Sequence, residues 1–399
     1  SPSASKAYLS KSRFLSGLKC DRMLWLDAHD RDRARPPGDS QEHIFRQGNE
    51  VGRAAHALFP GGLLIEEDRE SHAAAVETTR AAMADESIPA LFEAAFEYQT
   101  VRIRVDILER LGTTATGTSW GLREVKSSSK VKRESHLPDL SIQLWVLEGC
   151  GIQIDSAELV HVNGQYVRGE DRIDWSAFFR RREMMDELEG LDSRALAARV
   201  GAMREILAEE VAPKRAPGDF CKRPHLCRYW DDCTADLAPT PAARDSSSPP
   251  SYSRKLGDAL AEIAFPVWAL DFEAIGPAIP LYPGTRPYQP IAFEWSLHRL
   301  SENGQIDHFE FLAEGRRDPR PELARALVDR VGGEAGSILC YSGYEARCLA
   351  DMARRSPELA ASLEEIAARL VDLLPILRQY VDHTEFGGSY SMKAVGPVL

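Results

Sequence analysis

The stretch from Val101 to Gln143 reads VRIRVDILER (101–110), LGTTATGTS (111–119), WGLREVKSSSKVKRESHL (120–137) and PDLSIQ (138–143). In its first part Val101, Ile103, Val105 and Ile107 alternate with Arg102, Arg104 and Asp106, the period of a half-buried strand. After the turn-rich GTTATGTS, residues 120–127 are again strand-like, and a period of two sets Glu124 and Lys126 on one face. From Pro138 the stripe Leu140, Leu144 and Leu147 predicts a helix, with Gln143 on the same face by the three-and-four spacing. An acid on one strand and an acid-x-lysine on the next can set two carboxylates around one divalent metal, with an ammonium beside it. Phosphodiester hydrolysis needs that set: a Lewis acid, an ordered water and a cation for developing charge. The plain alternative is a solvated hairpin with an ordinary surface charge pattern.

Taken together, Asp106, Glu124, Lys126 and Gln143 resemble the motif of the PD-(D/E)XK nucleases in their RecB-like branch. The resemblance implies an α/β restriction-endonuclease-like core in which Asp106 and Glu124 hold Mg²⁺ or Mn²⁺. Lys126 would stabilise charge or orient the water, and Gln143 would position the lysine or the DNA. The tyrosine that often follows the glutamine is absent, with Leu147 nearby, so its DNA contact does not carry over. Upstream, Gly48, Gly52 and His56 lie four apart on a predicted helix over 42–59. By itself His56 reads as a satisfied histidine on a partly buried helix. The branch carries a G-x-x-x-H helix ahead of the Asp, and by that resemblance His56 is expected as a further metal ligand.

At 399 residues the chain has room for two or three domains. Its 43% hydrophobic and 28% charged residues are the composition of a globular protein, and no apolar run is long enough to span a membrane. The N-terminal SPSASKAYLSKSRFL lacks a signal peptide's apolar core, so a cytoplasmic location is the expectation. A net charge of −12 sits awkwardly with nucleic-acid binding, although five of the eleven residues from Arg123 to Arg133 are basic.

Residues 9–26 read as one helix with Ser10 or Ser12 as cap, 71–85 as another helix, 155–162 as a core strand and 174–209 as mostly helical. Cys221, Cys227 and Cys233 then follow with five residues between neighbours. In a cytoplasmic protein such a trio favours a metal site over disulfides. Zinc prefers closer pairs and four ligands, and three buried unliganded cysteines are the plain alternative. One early cysteine and a late trio resemble the iron–sulfur subgroup of RecB-like nucleases, the CRISPR-associated exonucleases among them. That resemblance implies a 4Fe–4S cluster on Cys20, Cys221, Cys227 and Cys233, stapling the first helix to the end of the nuclease domain. His225, Tyr229 and Trp230 would either stack on bases or pack.

The Pro- and Ser-rich stretch 238–253 reads as a linker between a nuclease domain over 1–237 and a second domain over 254–399. There a strand carries Asp271 and Glu273 on one face, opposite Phe272. A second strand spans 291–300, and the strand of SILCY leads into a helix over GYEARCLADMARR. The layout resembles RNase-H-like folds, the DEDD-type exonucleases above all, with Glu345 after Tyr344 standing for their second motif. GTRPYQPIAFEWSLH and GGSYSMKAV resemble an uncharacterised bacterial domain fused to RecB-like nucleases. Asp372 is expected to cap rather than to bind, and the domain to be incomplete at its end. The expected function is a Mg²⁺- or Mn²⁺-dependent nuclease, an exonuclease on single-stranded DNA or DNA ends. Its setting would be DNA repair, CRISPR adaptation or phage defence, with protein partners and no membrane. A non-catalytic nucleic-acid-binding module, or an RNA exonuclease led by the second domain, are the alternatives.

Overall fold

The computed structural model describes residues 8–66, 71–114, 117–223, 225–235, 250–315 and 317–399. The protein is a mixed α/β chain of two compact units, Ser1–Ala238 and Pro239–Leu399. Most of the expected linker lies outside the described residues. Its end is structured, because Ser251–Tyr252 forms a strand rather than free chain.

In the first unit, residues 9–26 are not one helix. A short strand β1 (Leu9–Ser10) precedes α1 (Lys11–Lys19), and α2 (Asp21–His29) follows after a break at Cys20. Ser10 Oγ accepts the Arg13 N–H and caps α1, satisfying one orphan donor of its first turn. Cys20 is extended, which breaks the helix and turns the chain between α1 and α2. Helix α3 (Asp39–Ala55) ends before His56, which starts a 3₁₀ turn over His56–Leu58. Then come β2 (Leu63–Leu64), α4 (His72–Ala84), β3 (Ala90–Tyr98), β4 (Val101–Thr114) and β5 (Gly117–Lys126). Helix α5 (Arg133–Gly149) starts a turn earlier than predicted, with Pro138 inside it. It leads to β6 (Gln153–Val162). The segment 174–209 holds α6 (Trp175–Phe178), an unforeseen strand β7 (Phe179–Glu183), α7 (Met185–Glu189) and α8 (Ser193–Ala208). Strand β7 escapes helical spacing because Phe179–Glu183 is an arginine-rich edge segment, exposed beyond Phe179, that pairs with β6.

The described strands form one sheet in the order β2-β3-β4-β5-β6-β7, with β1 parallel to β4. Strands β3, β4 and β5 are antiparallel, and β5 and β6 are parallel, joined by the α5 crossover that parallel neighbours require. Leu140, Ile142, Val146 and Leu147 of α5 sink into a core shared with Ile103, Val105 and Leu122 of the sheet. Gly149 lets the end of α5 close on the sheet, since a Cβ there would meet the Tyr98 ring at 2.3 Å.

The cysteine segment carries a 3₁₀ turn at Asp219–Cys221 and α9 (Trp230–Thr234). In the second unit β8 (Ser251–Tyr252) and α10 (Leu256–Ala261) precede β9 (Val267–Ile275), β10 (Ile291–Leu300) and β11 (Ile306–Leu312). There follow α11 (Arg320–Val331), β12 (Ile338–Cys340), α12 (Tyr344–Arg355), α13 (Ala360–Ala368), β13 (Leu370–Asp372), α14 (Leu373–Tyr380) and β14 (Val381–Asp382). The described sheet runs β11-β10-β9-β12-β13: an antiparallel meander, then parallel strands beside β9.

Candidate active site

Asp106 ends the regular pairing of β4 with β5, one residue beyond the Ile107–Arg123 pair. Its Oδ2 accepts the Val125 N–H at 2.7 Å. Glu124, 2% exposed, lies on the α5 side of the sheet. Its Oε1 accepts from Lys126 Nζ at 2.6 Å and from Lys11 Nζ at 3.0 Å. Its Oε2 accepts from Lys11 at 3.1 Å and from Gln143 Nε2 at 2.7 Å. Asp139, buried one turn before Gln143, accepts from Lys126, pairs with Lys11 at 3.5 Å and accepts from Gln143 Nε2 at 3.3 Å. The structure therefore brings Asp106, Glu124, Lys126 and Gln143 together and adds Lys11 and Asp139, which sequence spacing did not single out. Asp139 had a signal, since it sits four before Gln143 on the same helical face. Lys11 had none, because only the fold carries α1 to β5.

Burial, then the charge of Glu124, pushes the Asp106 carboxyl up to about 7 against the pull of Lys11 and Lys126. Burial alone would raise Glu124 too, but the two ammoniums outweigh it and hold that carboxyl well below its usual range. Asp139 is raised by burial and by Glu124. Both lysines are raised: burial opposes their charge, and the surrounding carboxylates win. The site thus holds more negative charge than its lysines neutralise, and the deficit falls on Asp106. Gln143 Oε1 is buried and has no partner.

His56 does not join this group. Its ring stacks on Phe92 with centroids 3.9 Å apart, and burial alone lowers its pKa, with no carboxylate acting on it. Phe92, Ile107 and Arg123 form one row across β3, β4 and β5, so by alternation they face away from Glu124. The expected ligand role is corrected for that reason: His56 packs against the opposite face. Arg123, counted among the basic residues of the site, also points there and pairs with Glu109 at 2.7 Å and Glu158 at 3.3 Å. Among the described residues no group of three or more His, Cys, Asp or Glu side chains is set to hold one metal ion. Asp106 and Glu124 still fit Mg²⁺, which keeps most of its waters and is commonly bound through one or two carboxylates.

Elsewhere in this unit, Cys20, Cys221, Cys227 and Cys233 all line one small pocket, with Lys19, Arg22 and Arg215 also in its wall. None of the four is in a disulfide. Four free sulfurs around one pocket are the donor set that an iron–sulfur cluster takes, and the rest of the wall is mainly apolar, with Met23, Leu26 and Phe220 in it. Burial raises the Cys233 thiol, and a hydrogen bond from Arg22 opposes that rise. Tyr229 is 1% exposed with its hydroxyl on Asp27 at 2.8 Å, so it packs and cannot stack on a base.

In the second unit Asp271 and Glu273 stand on the exposed face of β9, and Phe272 is buried in the core. Glu345 opens α12, is 4% exposed, and its Oε2 has no partner. Burial first, then Asp271 and Asp372, pushes its carboxyl up to about 7. Asp372 does cap α14, accepting the Leu374 N–H at 2.9 Å, and it also accepts the Ser342 N–H at 2.8 Å. It is nonetheless near enough to act on Glu345, whereas Glu273 acts on Tyr344.

No helix among the described residues is long and apolar enough to cross a membrane. No curated protein matches the chain. A family profile described as a domain of unknown function (DUF2779) matches residues 268–391, within the second unit.

Proposed function

We propose that the chain is a metal-dependent DNA nuclease of the RecB-like PD-(D/E)XK type, acting on single strands or DNA ends. One observation carries this: the four motif residues, from two strands and a helix, meet around Glu124, with Lys126 at 2.6 Å and Gln143 at 2.7 Å. The antiparallel β3-β4-β5 run followed by the α5 crossover to β6 supports a restriction-endonuclease-like core. Asp106 and Glu124 would hold Mg²⁺ or Mn²⁺, which supplies a Lewis acid and an activated water. Asp139 orients Lys126, whose ammonium is left to stabilise charge on the phosphate. Gln143 holds Glu124 in place. Cys20, Cys221, Cys227 and Cys233 would hold a 4Fe–4S cluster that ties α2's start to the segment after α8. In the second unit the strand order supports an RNase-H-like domain, where Asp271, Glu345 and Asp372 are the acids brought close.

The test is cleavage of labelled single- and double-stranded DNA with Mn²⁺ against an EDTA control, with RNA in a parallel arm. Lys126→Ala is expected to lower cleavage by about a hundredfold or more while DNA binding survives. Near-normal cleavage by that variant would remove the site assignment. One observation favours a second reading, a non-catalytic nucleic-acid clamp: both ammoniums already neutralise Glu124. DNA binding with no metal-dependent cleavage by the unaltered chain would select it. An absorption band near about 400 nm in the purified protein checks the cluster.

A further inference from the structure

Glu124 is the acid a divalent cation would need, and it is already occupied. Lys11 Nζ lies 3.0 Å from Oε1 and 3.1 Å from Oε2 of Glu124, and 3.5 Å from Asp139. This is a two-pronged contact to the carboxylate edge through which a metal would bind. Lys126 is placed differently: it touches Oε1 alone and is shared with Asp139.

Lys11 is also held from behind. It is the first residue of α1, whose start is capped by Ser10. The far end is tied down by three contacts to the later chain. Arg199 donates to the Gly17 carbonyl at 2.6 Å, Arg228 to Ser16 Oγ at 3.2 Å, and Lys19 to the His225 carbonyl at 3.2 Å. Helix α1 is short, about 14 Å at 1.5 Å per residue, so its end at Cys20 and its start at Lys11 move as one body. The ammonium is therefore delivered by a braced element and is not a loose surface lysine that happens to fold inward.

We infer that Lys11 is a built-in cation that competes with a divalent metal ion for Glu124. The inference rests on the proposed metal site and adds a regulation to it. With no metal, Lys11 and Lys126 are both held by Glu124 and Asp139. On metal binding Lys11 gives up Glu124 and keeps Asp139 as its partner. Metal affinity is then set low by design of the fold, and Lys11 is a positioning residue, not a metal ligand.

The sign of one measurement decides this. Mn²⁺ binding to the full chain is followed by the electron paramagnetic resonance of free Mn²⁺ at low salt. A side chain of merely structural importance could only weaken binding when replaced. A competing cation, once removed, must tighten it: Lys11→Met is expected to bind Mn²⁺ about tenfold more tightly than the unaltered chain. Lys11→Gln, which keeps the polar reach without the charge, should do the same and covers the case in which the methionine variant misfolds. Lys11→Arg keeps the charge and should stay within about twofold. Unchanged or weaker binding in the two neutral variants would overturn the inference. The metal site itself is checked separately: Glu124→Gln should lose Mn²⁺ in every background, and binding that ignores this change would overturn the site whatever Lys11 does.

Discussion

At the scale of the single residue, Glu345 shows how a buried acid reports its surroundings. Burial first, then the charges of Asp271 and Asp372, pushes its carboxyl from 4.5 when free up to about 7 when folded, and its Oε2 has no donor. A carboxyl raised on folding costs nothing below pH 4.5. Its cost grows as pH rises through the window to about 7 and is complete above it. Glu345→Gln removes that cost, so the second unit should gain about 1–3 kcal/mol at pH 8 and nothing at pH 4.5. Denaturant unfolding at the two pH values measures it; equal stability of the two proteins at pH 8 would mean the acid is solvated after all. Arg123 teaches the complementary lesson. A guanidinium in a basic run looks like a phosphate contact, yet at 2% exposure and paired with Glu109 and Glu158 it braces the far face of the sheet.

Among the elements, the β3–β4 hairpin positions Asp106 and carries a local penalty. Tyr98 pairs with Val101, leaving Gln99 and Thr100 as a two-residue turn, both with positive φ of 48° and 64°. Such turns favour Asn-Gly, and neither residue present signals one, so the sequence hid the boundary between the two strands. The double change Gln99→Asn with Thr100→Gly should stabilise the first unit by about 1 kcal/mol, read as a raised melting temperature with cleavage unchanged. A fall in melting temperature would show that the Gln99 and Thr100 side chains do more than endure the turn. Helix α5 behaves differently. Its apolar stripe announced both its existence and the burial of Gln143, and only its first turn was missed, because Pro138 suggested a start where the helix simply tolerates it.

For the whole molecule, Cys20 and the cysteines after α8 line one pocket, so the proposed cluster would close a span of about two hundred residues. Closing a span of this length restricts the unfolded chain by on the order of 5 kcal/mol in chain-entropy terms. Loading the proposed cluster should therefore raise the first unit's unfolding transition, leaving the second unit's unchanged. Calorimetry of the full chain before and after reconstitution checks this, and a shift confined to the second unit would contradict the cysteine assignment. The pocket was legible as a set of cysteines but not as a place, since spacing names sulfurs and only folding gathers them.

By itself the sequence determined the strand character of β4 and β5, the stripe of α5, the position of the break near residue 238 and which of its residues to look for around Glu124. Those features are local: period two, period 3.6 and the composition of a linker are written in neighbouring residues. Tertiary structure alone decided that Lys11 and Asp139 share the site, that His56 and Arg123 face away from it, and that the charge of Asp372 acts on Glu345. Each of those depends on which face of a sheet meets which helix. No run of residues encodes that, because strand register and crossover placement are settled by the packing of the entire core.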